Sequence, residues 1–167
     1  MDTRLIEPIG KRIHILFKSG KHLDLCHIHP MNADLDDVKK KINWEILIKY
    51  FGEYSGWGLS TVYNTVSGKP EPGDMFWVHL DYQNYNWDNF EGDELHCILP
   101  NGIEWNIDSR AINCDMKDDK LHRCWVRKGI PPNVTISKDG NTCHAGAGSI
   151  MAGDYHGFLR NGKLTSC

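Results

Sequence analysis

The chain has 167 residues, with 22 Asp and Glu against 19 Lys and Arg, and a formal net charge of -3. That length suits one domain, or a domain with an appendage, and buries a core without disulfide staples. Its Lys and Arg are dispersed, whereas a nucleic-acid binder would show a basic stripe, so that partner class is disfavoured. No run approaches the ~18 apolar residues of a membrane span, and MDTRLIEPIGKR has no signal-peptide apolar core. The expectation is therefore a cytoplasmic protein with no membrane partner. Of six cysteines (Cys26, Cys97, Cys114, Cys124, Cys143, Cys167), none lies in a C-x-x-C pair. Reduced thiols, no zinc ribbon, no metal and no other cofactor are expected.

In chain order, Arg12–Phe17 (RIHILF) reads as a strand, Ser19-Gly20 as a turn, and Leu23, Leu25 and Ile28 as continued alternation. Cys26, His27 and His29 (CHIHP), with His22 nearby, offer metal-ligand types, and His27 and His29 would share a strand face. Only His79 and Asp81 suggest a second ligand pair, so unliganded histidines are the preferred reading. Asp34 is a candidate N-cap for one main helix over about 34–51. Leu35, Val38, Ile42, Ile46 and Tyr50 fall on one face, Lys39–Lys41 on the wet side, and Gly52 ends it.

Leu59–Val66 and Met75–Leu80 read as strands on either side of the breaker-rich link Gly68–Asp74. Tyr82–Asp93 is polar and aromatic without period, an ordered loop that offers Tyr85 and Trp87 for binding a protein or peptide partner. Trp77, Trp105 and Trp125 are expected in the core. Asn101-Gly102, Asp139-Gly140 and Asn161-Gly162 each mark a two-residue hairpin turn. The predicted fold is strand-rich α+β: antiparallel hairpins or a small barrel with one main helix. An N-terminal β-α-β region (1–73) precedes an antiparallel domain (74–167).

Chemistry concentrates in Thr142–Gly162, TCHAGAGSIMAGDYHGFLRNG. A hairpin turning at Ala152-Gly153 would pair Met151 with Asp154, Ile150 with Tyr155 and Ser149 with His156, and a four-residue loop over Met151–Asp154 would keep the last two pairs. A hydroxyl beside an imidazole is the minimum for serine nucleophilic catalysis, because the hydroxyl proton needs an acceptor. Asp154 is the candidate to orient His156, with Asp139, Asp115 and Asp108 as rivals. Gly146 and Gly148 would let backbone N–H groups face an oxyanion. The pattern is not the G-x-S-x-G elbow. Cys143 beside His144 is an alternative nucleophile–base pair, poorly aligned if both lie in one strand.

Ile98–Cys114 (ILPNGIEWNIDSRAINC), His122–Ile150 (HRCWVRKGIPPNVTISKDGNTCHAGAGSI) and Asp154–Gly162 (DYHGFLRNG) resemble a group of small uncharacterised phage and bacterial proteins. Their C-terminal half also resembles the serine-peptidase-like family found beside bacterial ubiquitin-like proteins. There a Pro-Ser-Ile segment precedes a His-containing strand and an Asp-Gly or Asn-Gly turn. The resemblance implies a serine hydrolase or acyl-transfer activity with Ser149 as nucleophile and His156 as base, in the host cytoplasm if phage-encoded. Here Ala145–Gly148 (AGAG) stands in place of that family's proline-rich lead-in. The alternative expectation is a non-enzymatic phage-encoded inhibitor that binds a host protein.

Overall fold

The computed structural model describes residues 1–25, 27–79, 93–111, 113–116, 118–119, 122–139, 143–145 and 148–167. The described fold is strand-rich α+β with mainly antiparallel sheets. Two compact units divide the chain: Glu7–Lys69, and Met1–Ile6 together with Pro70–Cys167. The break falls before Pro70 because the link is tied to the second unit. Asp74 accepts from Glu71 N–H, Gly73 N–H donates to Ile98, and Arg4 N–H donates to Gly73 O.

In the Glu7–Lys69 unit, β2 (Pro8–Phe17) lies between β3 (His22–Asp24) and β4 (Tyr54–Tyr63), all antiparallel. Alternation along β2 sends Ile13, Ile15 and Phe17 into a small core. The single helix expected over about 34–51 is instead two: α1 (Leu35–Lys40) and α2 (Trp44–Phe51). Asp34 caps the first as expected. Asn43 then interrupts, its side chain accepting Ile46 N–H as a fresh N-cap. Restarting there rotates the apolar face. Trp44, Leu47 and Phe51 pack on the core, while Ile46 and Tyr50 point to solvent.

The second unit begins with β1 (Arg4–Leu5), which pairs in parallel with β5 (Asp74–His79). The sheet continues antiparallel through β6 (Asp93–Ile98) and β7 (Glu104–Asn106). A second sheet comprises β10 (Ile150–Ala152), β11 (Tyr155–Arg160) and β12 (Lys163–Ser166). β8 (Val126–Lys128) and β9 (Thr135–Ser137) form a separate hairpin. The N-terminal residues link the two larger sheets. Met1 exchanges backbone hydrogen bonds with Leu164, and Ile6 N–H then reaches Met75 O. Arg4 also pairs with the fully buried Asp74 carboxylate.

Two of the expected tight turns can be compared with their geometry. Asn161-Gly162 forms the two-residue loop between Arg160 and Lys163 with φ of 47° and 70°, the type I′ pattern. Asn101-Gly102 does not. Leu99 and Ile103 flank a three-residue loop in which only Gly102 takes a positive φ, 81°, because the turn closes from Gly102 N–H to Leu99 O. Gly140 lies outside the described residues. The core of this unit gathers Leu95, Leu99, Ile107, Ile150, Leu159 and Leu164, with Trp105 edge-on to Trp125 at 5.5 Å. Trp77 is half-buried beneath the Arg127 guanidinium.

Candidate functional site

The β10–β11 hairpin turns at Gly153-Asp154. Its register pairs Ile150 with Gly157, Met151 with His156 and Ala152 with Tyr155. The expected turn at Ala152-Gly153 is therefore corrected by one position. Gly153 has φ of 60° and Asp154 is not left-handed, a combination that suits a two-residue II′ loop at 153–154. The correction moves the partner of His156 from Ser149 to Met151, a shift that preserves the face. Ser149 and His156 become diagonal neighbours on one side, within reach of a long side chain. His156 Nε2 lies 3.2 Å from Ser149 Oγ. Ser149 is half-buried and His156 exposed, so the pair faces solvent. Met151, 77 % exposed, stands opposite His156, and Phe158 follows on the same face.

The structure assigns Asp154 to another partner. Its Oδ1 accepts from Asn101 Nδ2 at 2.8 Å, and the same amide donates to Ala152 O, also at 2.8 Å. Asn101 thus pins the hairpin tip, and Asp154 faces it rather than the imidazole. The rivals are also engaged elsewhere. Asp108 accepts Leu95 N–H and pairs with Arg127, Asp115 accepts His144 N–H, and Asp139 lies 3.8 Å from Lys128. Among the described residues, Ser149 and His156 form a dyad without a hydrogen-bonded carboxylate. Gly148 is left-handed at φ 79°, while Gly146, Tyr85 and Trp87 lie outside the described residues.

Cys143 and His144 point apart although neither lies in a strand. The Cys143 side chain is buried, whereas the exposed His144 ring points at Asp115, 3.7 Å away. Cys143 Sγ instead accepts from Lys138 Nζ at 3.0 Å. Burial opposes ionisation of this thiol, but hydrogen bonds from Lys138 and His122 outweigh it and hold it down at about 6. Burial pushes the neighbouring Cys124 up to about 12.

Cys143 belongs to a constellation that the sequence reading missed. One donor atom each from Cys114, His122, Cys124 and Cys143 lies within 4.8 Å of all the others. The three sulfurs are buried and the imidazole is half-buried. The only local signal is His122-Arg123-Cys124, an H-x-C; Cys114 and Cys143 lie far from it along the chain. At the earlier candidate, His27 and His29 rings stack edge-on at 4.6 Å, and Cys26 lies outside the described residues. Comparison of the chain with protein-family models, with curated proteins and with solved structures finds no match.

Proposed function

We propose that the protein is a serine hydrolase or acyl-transfer protein that uses Ser149 and His156 as a dyad. The observation that carries this reading is the 3.2 Å approach of His156 Nε2 to Ser149 Oγ on a solvent-facing hairpin. In the mechanism, Ser149 Oγ attacks an acyl carbonyl while its proton passes to Nε2, and a tetrahedral oxyanion forms. His156 then returns the proton to the leaving group, whose bond to carbon breaks as the oxyanion collapses to a carbonyl, leaving the acyl-serine ester. Water, deprotonated by the same nitrogen, or an acceptor nucleophile releases the acyl group. Backbone N–H groups around Gly148 and Ser149 are the donors for the oxyanion, and the φ of 79° at Gly148 is a conformation side chains rarely adopt. Met151 and Phe158 border the pair with apolar surface suited to a peptide side chain or acyl tail. The likeness of Ser149 and His156 to the serine and histidine of the serine-peptidase-like family points the same way.

The test is covalent labelling with a fluorophosphonate, read by intact mass. Labelling of the parent at one site, lost in Ser149→Ala and slowed in His156→Ala with both variants folded, is the expected result. Labelling that persists in Ser149→Ala, or a parent that neither reacts nor turns over any acyl ester or peptide while Ser149→Ala still binds its partner, overturns it. The second outcome selects the non-enzymatic binding protein instead.

A further inference from the structure

The described residues between β7 and β8, and between β9 and β10, bring together three sulfurs and one imidazole. We propose that Cys114, His122, Cys124 and Cys143 bind one zinc ion in a closed Cys3His site. This claim is independent of the Ser149–His156 reading, since it is measured as metal content without a substrate.

The geometry fits a single tetrahedral ion. Zinc bonds of ~2.3 Å to sulfur and ~2.0–2.1 Å to nitrogen put donors about 3.6–3.8 Å apart. All four donors here already lie within 4.8 Å of one another, and Cys124 Sγ to His122 Nε2 is 3.8 Å. Bringing the set to that spacing draws its widest-set donors together by about an ångström.

Each sulfur of the set faces a hydrogen-bond donor. Ala111 N–H donates to Cys124 Sγ at 3.2 Å, and Met116 N–H donates to Cys114 Sγ at 3.4 Å. Lys138 Nζ donates to Cys143 Sγ at 3.0 Å. Every sulfur of the set therefore accepts a hydrogen bond, the outer contact that disperses charge on a metal-bound thiolate. Charge also balances: one dication and three thiolates leave a single negative charge, which the Lys138 ammonium cancels. Cys97 shows the contrast. It is equally buried and its thiol donates to Ile98 O at 3.7 Å, much as the Cys143 sulfur donates to Ala145 O at 3.8 Å, but among the described residues it belongs to no cluster of ligand-type side chains.

A disulfide is the competing use of neighbouring cysteines, and it explains less. It would consume two sulfurs and leave the third, and the imidazole beside them, without a purpose. Four protein ligands leave no open coordination position, so the ion is structural rather than a Lewis acid for substrate. Its role is to fasten Ala111, residues 113–116, 122–124 and 143–145 to the core where no strand ladder holds them among the described residues. In such a site metal binding contributes directly to folding free energy.

The experiment is elemental analysis of the full chain purified without chelator, with intact mass in denaturant under non-reducing conditions. About one zinc per chain is expected, with every cysteine reduced. Cobalt replacing zinc should give visible d–d and near-ultraviolet thiolate-to-cobalt bands. Cys114→Ser should lose the ion on dialysis, and Cys167→Ser, an exposed cysteine outside the set, should keep it. Because Cys114→Ser could also fail to fold, His122→Cys serves as the second variant. It should retain zinc, and its cobalt complex should gain thiolate charge-transfer intensity. Parent protein that is folded yet metal-free and takes up no cobalt overturns the proposal. So do iron in place of zinc, a disulfide among the three cysteines, or a cobalt spectrum unchanged in His122→Cys.

Discussion

Replacing Gly157 by alanine probes the strand that carries His156, and its cost can be worked from the structure. An ideal Cβ at this position would fall 2.3 Å from Thr165 O and 2.4 Å from Tyr155 Oη. Neither neighbour can yield easily. Thr165 O belongs to the β11–β12 ladder, where Gly157 pairs with Ser166, and the Tyr155 ring is 5 % exposed. Overpacking of this kind costs about 1–3 kcal/mol. Displacing Tyr155 also weakens its hydroxyl hydrogen bond to Thr165 O, a contribution of about 0.5–1.5 kcal/mol. Against these stands about 0.5–1 kcal/mol gained because alanine has less conformational freedom than glycine in the unfolded chain. The net is a loss of about 1–3 kcal/mol, which for a unit of this size lowers Tm by on the order of 10 °C. Thermal unfolding followed by circular dichroism reads it directly. Gly56→Ala, where nothing lies within 4 Å of the added carbon, is the matched control and should leave Tm nearly unchanged. A Gly157→Ala protein melting within about 2 °C of the parent would show that Thr165 and Tyr155 move aside freely, and would refute the close-approach argument.

Asn101→Ala removes both hydrogen bonds that pin the β10–β11 tip, to Ala152 O and to Asp154. The partners are partly solvated, so a loss of about 1–2 kcal/mol is expected in urea unfolding; Asn101→Asp, which sets a like charge against Asp154, should cost more. Glu104 supplies a pH signature. Its hydrogen bond to His96 holds the carboxyl below the usual glutamate range. The pair's stabilisation is therefore present above the ordinary glutamate pKa and is lost as pH falls through the lowered one. Glu104→Gln should flatten that acid limb by less than about 1 kcal/mol, because the carboxylate is half exposed. An unchanged limb in the variant would remove the pair from the account.

Much of the fold was legible because its turns and strands obey local rules. β2 follows from the period-2 alternation of Ile13, Ile15 and Phe17. The I′ turn at Asn161-Gly162 follows from two residues that tolerate positive φ. The same dipeptide type misleads at Asn101-Gly102, where the side chain of Asn101 is used to hold another hairpin and the loop has an extra residue. The helix break was hidden by periodicity that continued through it. Ile42, Ile46 and Tyr50 read as one face, yet Asn43 recaps the chain and gives the core to Trp44, Leu47 and Phe51. A hydrophobic pattern cannot report a change of phase when both phases contain apolar residues.

The two side-chain sites differ in legibility for a topological reason. Ser149 immediately precedes β10 and His156 lies in β11 of the same hairpin, so their closeness depends on a short-range turn. The error in that turn moved the partner of His156 from Ser149 to Met151, a displacement that keeps side chains on the same face, and the contact survived it. A shift of one partner instead of two would have put the residues on opposite faces. The sulfur and imidazole set has no such protection. Its spacing, C-x7-H-x-C-x18-C, contains none of the short paired knuckles by which zinc sites are read from sequence. The four residues meet only after the β8–β9 hairpin folds back between Cys124 and Cys143 and the two sheets close on one core. Scanning for local pairs favours the closely spaced Cys26, His27 and His29, where the described residues bring no third ligand to the histidines. A set built from three distant segments is visible only once tertiary packing is known.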